Sequence, residues 1–245
     1  MISLKRKKTF LNIEEIFYYE GASIESKADI VLLKQSKNSF NKGNKFITLH
    51  IDLKQDLESI EAEFKKNTKY EIRRATNKDN LEFKYDDSSV LTNYKEFIEF
   101  YDKFAESKGL QACNKKLIGR LIKENSLIVT YVEGKDSFLV IHYYITDGNR
   151  ARLLYSASQF RNVPDNNTRN LIGRGNRFLH REDIVYFKQN GYSILDLGGI
   201  AENEDNQETS QIDSFKKSFG GKRIVEYNCK IGKTILGKIA LGLKL

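Results

Sequence analysis

Three β-rich runs, Leu127–Val132, Ser137–Ile145 and Ala151–Ser158, follow one another with only Gly134-Lys135 and Asp147-Gly148-Asn149 between them. Such short, turn-forming breaks specify an antiparallel meander. After a polar loop at 159–168, the chain reads as a helix over Leu171–Gln189 and a buried strand over Tyr192–Leu197. A helix over Gln211–Phe219, a strand over Arg223–Ile231 and a last helix over Lys233–Leu245 follow. A meander succeeded by helix, strand, helix, strand is a mixed α+β arrangement and differs from the repeated β-α of a doubly wound sheet.

Upstream, Phe17–Tyr19, Ile30–Leu33 and Phe46–Leu53 read as strands. Between Asp56 and Asn80 the apolar period changes. Leu57, Ile60 and Phe64, then Tyr70, Ile72 and Ala75, suit two short helices jointed at Asn67-Thr68. Leu81–Tyr85 returns to alternation, and Ser88–Ser107 carries a helical stripe of Leu91, Tyr94, Phe97, Ile98, Tyr101 and Phe104, capped by Ser89. A short helix is expected over Lys115–Lys123. At 245 residues with 40% apolar content, a real core is available to one large domain or two small ones. The expected division is a reduced N-terminal α/β part over 1–85 and a core over 86–245.

The formal charge of +8 favours a polyanionic partner: a nucleotide, coenzyme A, RNA or an acidic membrane. Two cysteines, Cys113 and Cys229, exclude a disulfide scaffold, and three widely spaced histidines argue against a metal centre. No run approaches the roughly 20 apolar residues of a membrane span, and the basic start is not followed by an apolar stretch, so a cytoplasmic protein is expected.

Five places carry chemistry. Arg169-Asn-Leu-Ile-Gly-Arg-Gly-Asn176 stands near an expected helix start, where glycine N–H groups, the helix dipole and two arginines suit a pyrophosphate. The plain alternative is a helix start with flexible glycines. In the hairpin 137–158, a turn at Asp147-Gly148 sets His142 opposite Leu153, with Tyr155 a diagonal step away on the same face as Phe138, Val140 and Tyr144. That pair suits acid–base work, or a satisfied core histidine. Asp196 is a carboxylate inside an apolar strand ending at Gly198-Gly199. Phe215-Lys-Lys-Ser-Phe-Gly-Gly221 offers Lys216 and Lys217 for a phosphate, or for solvent. Lys65–Lys78 sets Lys66, Lys69 and Arg73 on one helix side, as a phosphate or RNA patch or as a solvated face. The apolar tail with Lys233, Lys238 and Lys244 suits an anionic membrane or a docked helix.

Taken in order, Lys69-Tyr-Glu-Ile-Arg-Arg-Ala75, Arg150-Ala-Arg-Leu-Leu-Tyr-Ser-Ala-Ser158, Gly173-Arg-Gly-Asn-Arg-Phe-Leu-His180, Asp196-Leu-Gly-Gly199 and Phe215–Gly221 resemble the FemAB-like branch of the GNAT superfamily. The superfamily's phosphate loop is Gln/Arg-x-x-Gly-x-Gly/Ala, and here Asn170 takes its first position with Arg169 just before it. The resemblance implies a mainly antiparallel sheet flanked by helices and an acyl-CoA-dependent N-acyltransferase acting on a nucleotide-linked (dTDP or UDP) amino sugar for surface polysaccharide. Under it, Arg169, Asn170, Gly173, Arg174, Gly175 and Asn176 hold acyl-CoA, and His142 and Asp196 assist amine deprotonation. Arg73, Tyr155, Lys216 and Lys217 meet the acceptor, and no metal takes part. The rival within enzymes is an aminoacyl-tRNA-dependent ligase of peptidoglycan precursors; the rival from another class is a non-catalytic RNA- or membrane-surface-binding protein.

Overall fold

A computed structural model describes residues 1–41, 43–89, 94–135, 137–160, 163, 165–201 and 207–242, the side chains of 207–209 excepted. The chain forms two compact units. The first comprises Met1–Thr48, Gly199–Glu204 and Arg223–Leu245; the second comprises Leu49–Gly198 and Asp205–Lys222. Residue 85 falls inside the second unit.

The first unit holds β1 (Ile2–Lys8), β2 (Leu11–Phe17) and β3 (Ile30–Ser36), and β4 (Asn44–Asp52) carries the chain onward. β1 and β2 make an antiparallel hairpin, with Leu4 opposite Glu15, and β2 runs parallel to β3. The hairpin was not evident in the basic sequence. Ile2 and Leu4 alternate inward while Ser3 and Lys5 point away, so the strand period is carried by only two apolar residues.

The second unit opens with α1 (Leu57–Ala62), α2 (Lys66–Asn77), β5 (Lys84–Asp87), α3 (Tyr94–Ser107) and α4 (Lys115–Lys123). Asp56 caps α1 by accepting from Ser59 N at 2.7 Å. The joint between α1 and α2 lies at Glu63–Lys65 rather than at Asn67-Thr68, because Thr68 is buried, its hydroxyl donating to that of Ser218. α3 is described from Tyr94 onward; Leu91 and the link from the expected cap Ser89 to the helix lie outside the described residues. The meander forms as expected: β6 (Leu127–Glu133), β7 (Phe138–Thr146) and β8 (Arg150–Ser158). α5 (Asn166–Gln189) then leads to β9 (Ile194–Gly199), which pairs parallel to β8. The order in this unit is β9-β8-β7-β6-β5. α6 (Gln207–Lys217) follows, and the chain returns to the first unit through β10 (Lys222–Gly232), antiparallel to β3, and α7 (Ile235–Gly242). Together these make the mixed α+β fold, a mainly antiparallel sheet flanked by helices.

The two faces of the meander differ. On one, Val140 packs with Ile172, Phe178 and Leu179 of α5 and with Ala75 of α2. On the other, Tyr143 and Tyr155 stack with Tyr101 of α3, and Phe138 packs with Phe97 and Phe100. Phe138 was expected on the first face. Irregularities at Val132/Glu133 and at Tyr143/Tyr144 shift the register and turn these side chains over.

Candidate functional site

The bulge in β7–β8 decides which residues meet. His142 pairs with Ser156, not Leu153, and Tyr155 pairs with Tyr143. Directly paired residues share a face and neighbours along a strand alternate, so Tyr155 lies on the face opposite His142. Its hydroxyl accepts from Asn114 N at 3.3 Å, and its ring lies 4.4 Å from that of Tyr101. The expected His142–Tyr155 pair does not form.

His142 is instead the centre of a buried polar chain. Its Nδ1 lies 2.7 Å from Asp183 Oδ2, which also accepts from the Tyr144 hydroxyl at 2.7 Å. Its Nε2 lies 3.1 Å from Asn176 Oδ1. Burial and the Asp183 carboxylate push the Tyr144 phenol well up, so it stays a donor. The His180 ring lies 4.3 Å from that of His142. Burial, with the nearby charges of His142, Lys216 and Arg177, pushes His180 well below the usual histidine range, so it is neutral. Buried Nδ1 of His180 and Oδ1 of Asp183 have no protein partner. Asn176, His180 and Asp183 are spaced i, i+4, i+7 on α5. That spacing was the available signal for a polar face, and it was missed.

The glycine pair is placed differently from expectation. Asp165 caps α5 by accepting from Thr168 N at 2.8 Å, so the helix begins at Asn166. Gly173 and Gly175 therefore lie within α5, where backbone N–H groups serve the helix ladder rather than a ligand. Arg174 is buried against Asp79, its Nη2 donating at 2.9 Å, and Arg169 Nε donates to Val163 O at 2.6 Å. Asn170 is exposed, and Gly175 lies against Leu81 and Val140. The six residues do not form one cradle. Gly173 and Asn176 alone among them line a cavity of about 230 Å³, with Arg177, Ser158, Lys108 and three aromatics, Phe104, Phe160 and Phe215. Lys108 Nζ stands 5.4 Å over Phe104, and the Arg177 guanidinium 5.2 Å over Phe215. Arg177 Nη1 donates to Gly173 O at 3.1 Å, and its buried Nε has no partner. Burial pushes its pKa down.

Asp196 lies in a second buried network. It is fully buried and paired with Arg150, with His50 Nε2 at 3.6 Å. Its Oδ1 accepts from Gly198 N at 2.8 Å. Against its burial, the nearby His50 ring and the Arg150 charge hold it far below the usual carboxylate range. Gly198, at φ +79, lets the chain turn where an added Cβ would come 3.1 Å from Leu153 O. The same point is 3.7 Å from Lys216 Nζ. Burial pushes Lys216 down to about 8, opposed by Asp213 and Asp196. Its partner Lys217 is exposed, and Arg73 stands on the solvent side of α2. Cys113 and Cys229 are buried free thiols, and burial pushes Cys113 up to about 12.

His142, His180 and Asp183 bring ligand-type atoms within 4.8 Å of one another. The Asp183 oxygen nearest His142 is already shared with Tyr144, so the arrangement is a hydrogen-bonded chain. Among the described residues, no helix is long and apolar enough to cross a membrane.

No protein-family model and no curated protein matches the sequence. Solved structures match in shape. The chain superposes on FemX over 99% of its own length and 86% of that chain, with TM-score 0.67 and 11% identity. It matches the C-terminal domain of a protein assigned as a lysylphosphatidylglycerol synthetase of Agrobacterium fabrum over 86% of this chain and 70% of that one, with TM-score 0.58 and 13% identity. L-PGS from Bacillus licheniformis matches over 87% and 71%, with TM-score 0.54 and 10% identity. At these identities the likeness is one of fold, and at that level the FemAB-like resemblance holds.

Proposed function

We propose that this protein transfers an acyl group to a primary amine on an anionic, ring-bearing acceptor. The observation that carries the reading is the cavity at Asn176. Two cations, Lys108 and Arg177, lie over aromatic rings there, and Arg177 keeps a buried N–H without a partner. A cation left so is suited to an anionic group of a ligand, and the rings to its flat or apolar part. Arg177 and Lys108 take the acceptor-binding place that the sequence suggested for Arg73 and Lys217.

In the reaction, the acceptor nitrogen attacks the acyl carbonyl carbon and the carbonyl electrons move to oxygen. As that oxyanion collapses, the leaving group departs with the bonding pair and takes up the proton that the amine releases. Lys216 is suited to the oxyanion or to the proton, because near pH 8 it exists both as cation and as free amine. Asp196 is held ionised by its partners, and its charge favours the cationic form of that amine. His142 has both nitrogens engaged, and its part is to fix Asn176 at the cavity wall.

Two donors remain in this reading. Acyl-CoA with a nucleotide-linked amino sugar is the first. The second, an aminoacyl-tRNA-dependent ligase, is favoured by α5, whose glycines offer no free N–H cradle for a pyrophosphate, and by the near full-length likeness to FemX. A thermal-shift screen of acyl-CoAs, nucleotide sugars and aminoacyl-tRNA separates them: a true ligand at 100 times its Kd adds about 2.7 kcal/mol. Arg177→Gln should raise the acceptor KM several-fold more than it lowers kcat. Lys216→Met should cost about 100-fold in kcat and abolish the activity change expected of the parent near pH 8. Unchanged kinetics in both variants would remove the cavity from the reading.

A further inference from the structure

Helix α7, in the first unit, is seated by its small residues. Gly237 and Ala240 are buried, and a Cβ at Gly237 would run into Asp29 O. Ala240 packs in a cluster with Leu11, Ile13 and Ile30. The seat is tied by Thr234 Oγ1, which donates to Asp29 Oδ1 at 2.8 Å, and by Lys233 N, which donates to Asp29 O at 2.8 Å. Of its large apolar side chains, Leu241 packs against the same cluster, while three point the other way: Ile235 is 78% exposed, Leu236 53% and Ile239 52%. Phe10, in the turn before Leu11 of the same cluster, is 67% exposed. A water-facing helix would put its large apolar residues under it, and this one leaves three of four outside.

The segments that carry and seat this helix are basic. From Tyr227 to Leu245 the sequence has no acidic residue, and within that stretch Lys230, Lys233 and, on α7 itself, Lys238 are exposed. The first thirteen residues likewise carry Lys5, Arg6, Lys7 and Lys8 and no acid. A groove of about 830 Å³ on this unit is lined by Lys5, Arg6, Lys7 and Lys27, and by Ile13 from the α7 seat. Of its two carboxylates, Glu14 and Glu25, the first is taken up by the hydroxyls of Ser3 and Ser26.

We propose that the outer face of α7, together with the exposed Phe10, is the surface on which this protein docks to an anionic lipid bilayer. Apolar side chains rimmed by lysines match a membrane interface: the former enter the acyl boundary and the latter meet the anionic headgroups. A second copy fits less well, because symmetric pairing of this face would set its lysines against one another. The inference is independent of the transfer reaction, since it concerns a different unit of the chain.

The test is co-sedimentation of the full chain with phosphatidylcholine vesicles, with and without phosphatidylglycerol. The parent should partition to the anionic vesicles, weakly to the neutral ones, and less at high salt. Ile235→Asn with Ile239→Asn should lower partitioning about tenfold or more, and Lys238→Gln about fivefold. These positions are exposed, so Tm should hold. Should the double variant lose stability, Phe10→Ser and Lys238→Gln carry the same test. No binding to anionic vesicles, or binding that the variants leave unchanged, overturns the proposal. So does a parent dimer that Leu236→Asp disperses, which would assign the face to a second copy.

Discussion

Helix α5 turns polar groups inward, and helix α7 turns apolar groups outward. α5 buries Arg174, His180 and Asp183 beside Phe178, Leu179 and Phe187, while α7 buries Gly237 and Ala240 and exposes two isoleucines and a leucine. Each departs from the amphipathic rule in its own direction, and the departures mark different uses. Buried polar groups hold a geometry, because each bond fixes its partners, as Asp183 fixes His142 and Tyr144. Exposed apolar groups gain nothing in folding and suit a surface other than water.

The sharpest way to break the comparison is at Asp183. Asp183→Ala leaves His142 and Tyr144 buried without their shared acceptor. It should lower unfolding free energy by about 3–5 kcal/mol, read from urea denaturation. A loss near 0.5 kcal/mol would show that the α5 network holds nothing in place.

Next in size is acid. The folded-state pKa of Asp196 is depressed, so its contribution is complete above the unfolded value, about 3.9, and is lost as pH falls below it. The parent's urea midpoint should therefore decline below about pH 4, with on the order of 2–3 kcal/mol traceable to this group. Asp196→Asn should be less stable at neutral pH and show a shallower acid limb. An equal limb in both proteins would place the loss elsewhere.

The smallest expected effect compares two glycines of like helical setting. Gly173→Ala on α5 meets only the end of Arg177, 3.9 Å away, and should gain about 0.5–1 kcal/mol. Gly237→Ala on α7 meets the backbone of Asp29 and should lose about 1–3 kcal/mol. Thermal melts of the two variants should move Tm in opposite directions. Movement in the same direction would mean that α7 can lift from its seat at no cost.

The sequence was legible wherever one period dominated. The meander, α4 and the core stripe of α3 follow from apolar spacing alone, whereas the joint before α2 lies earlier in the chain than that spacing suggests. What it concealed were events at single residues. One extra residue in β7–β8 turned Tyr155 away from His142, and no periodicity announces a bulge. An aspartate at 165 started α5 earlier than expected and moved Gly-Arg-Gly from its first turn into its interior. Arg174 looked like a phosphate ligand because its partner, Asp79, is distant in sequence. Arg177, one turn on, carried no such motif and is the residue at the cavity. Lys216 was legible as a basic residue, but its lowered pKa depends on burial that only the fold supplies.

The pairing of β3 sets a condition on synthesis. Its neighbour on one side, β2, is close in sequence, but on the other side Val31 pairs with Ile231. During translation that edge of β3 stays open until residue 231 has left the ribosome, long after the meander can form. Val31 and Leu33 are then bare strand residues of the kind that recruit other nascent chains. Contacts so far apart also close slowly. The first unit is therefore the late-maturing part of the protein, and the part whose yield should depend most on chaperones and on the pace of translation.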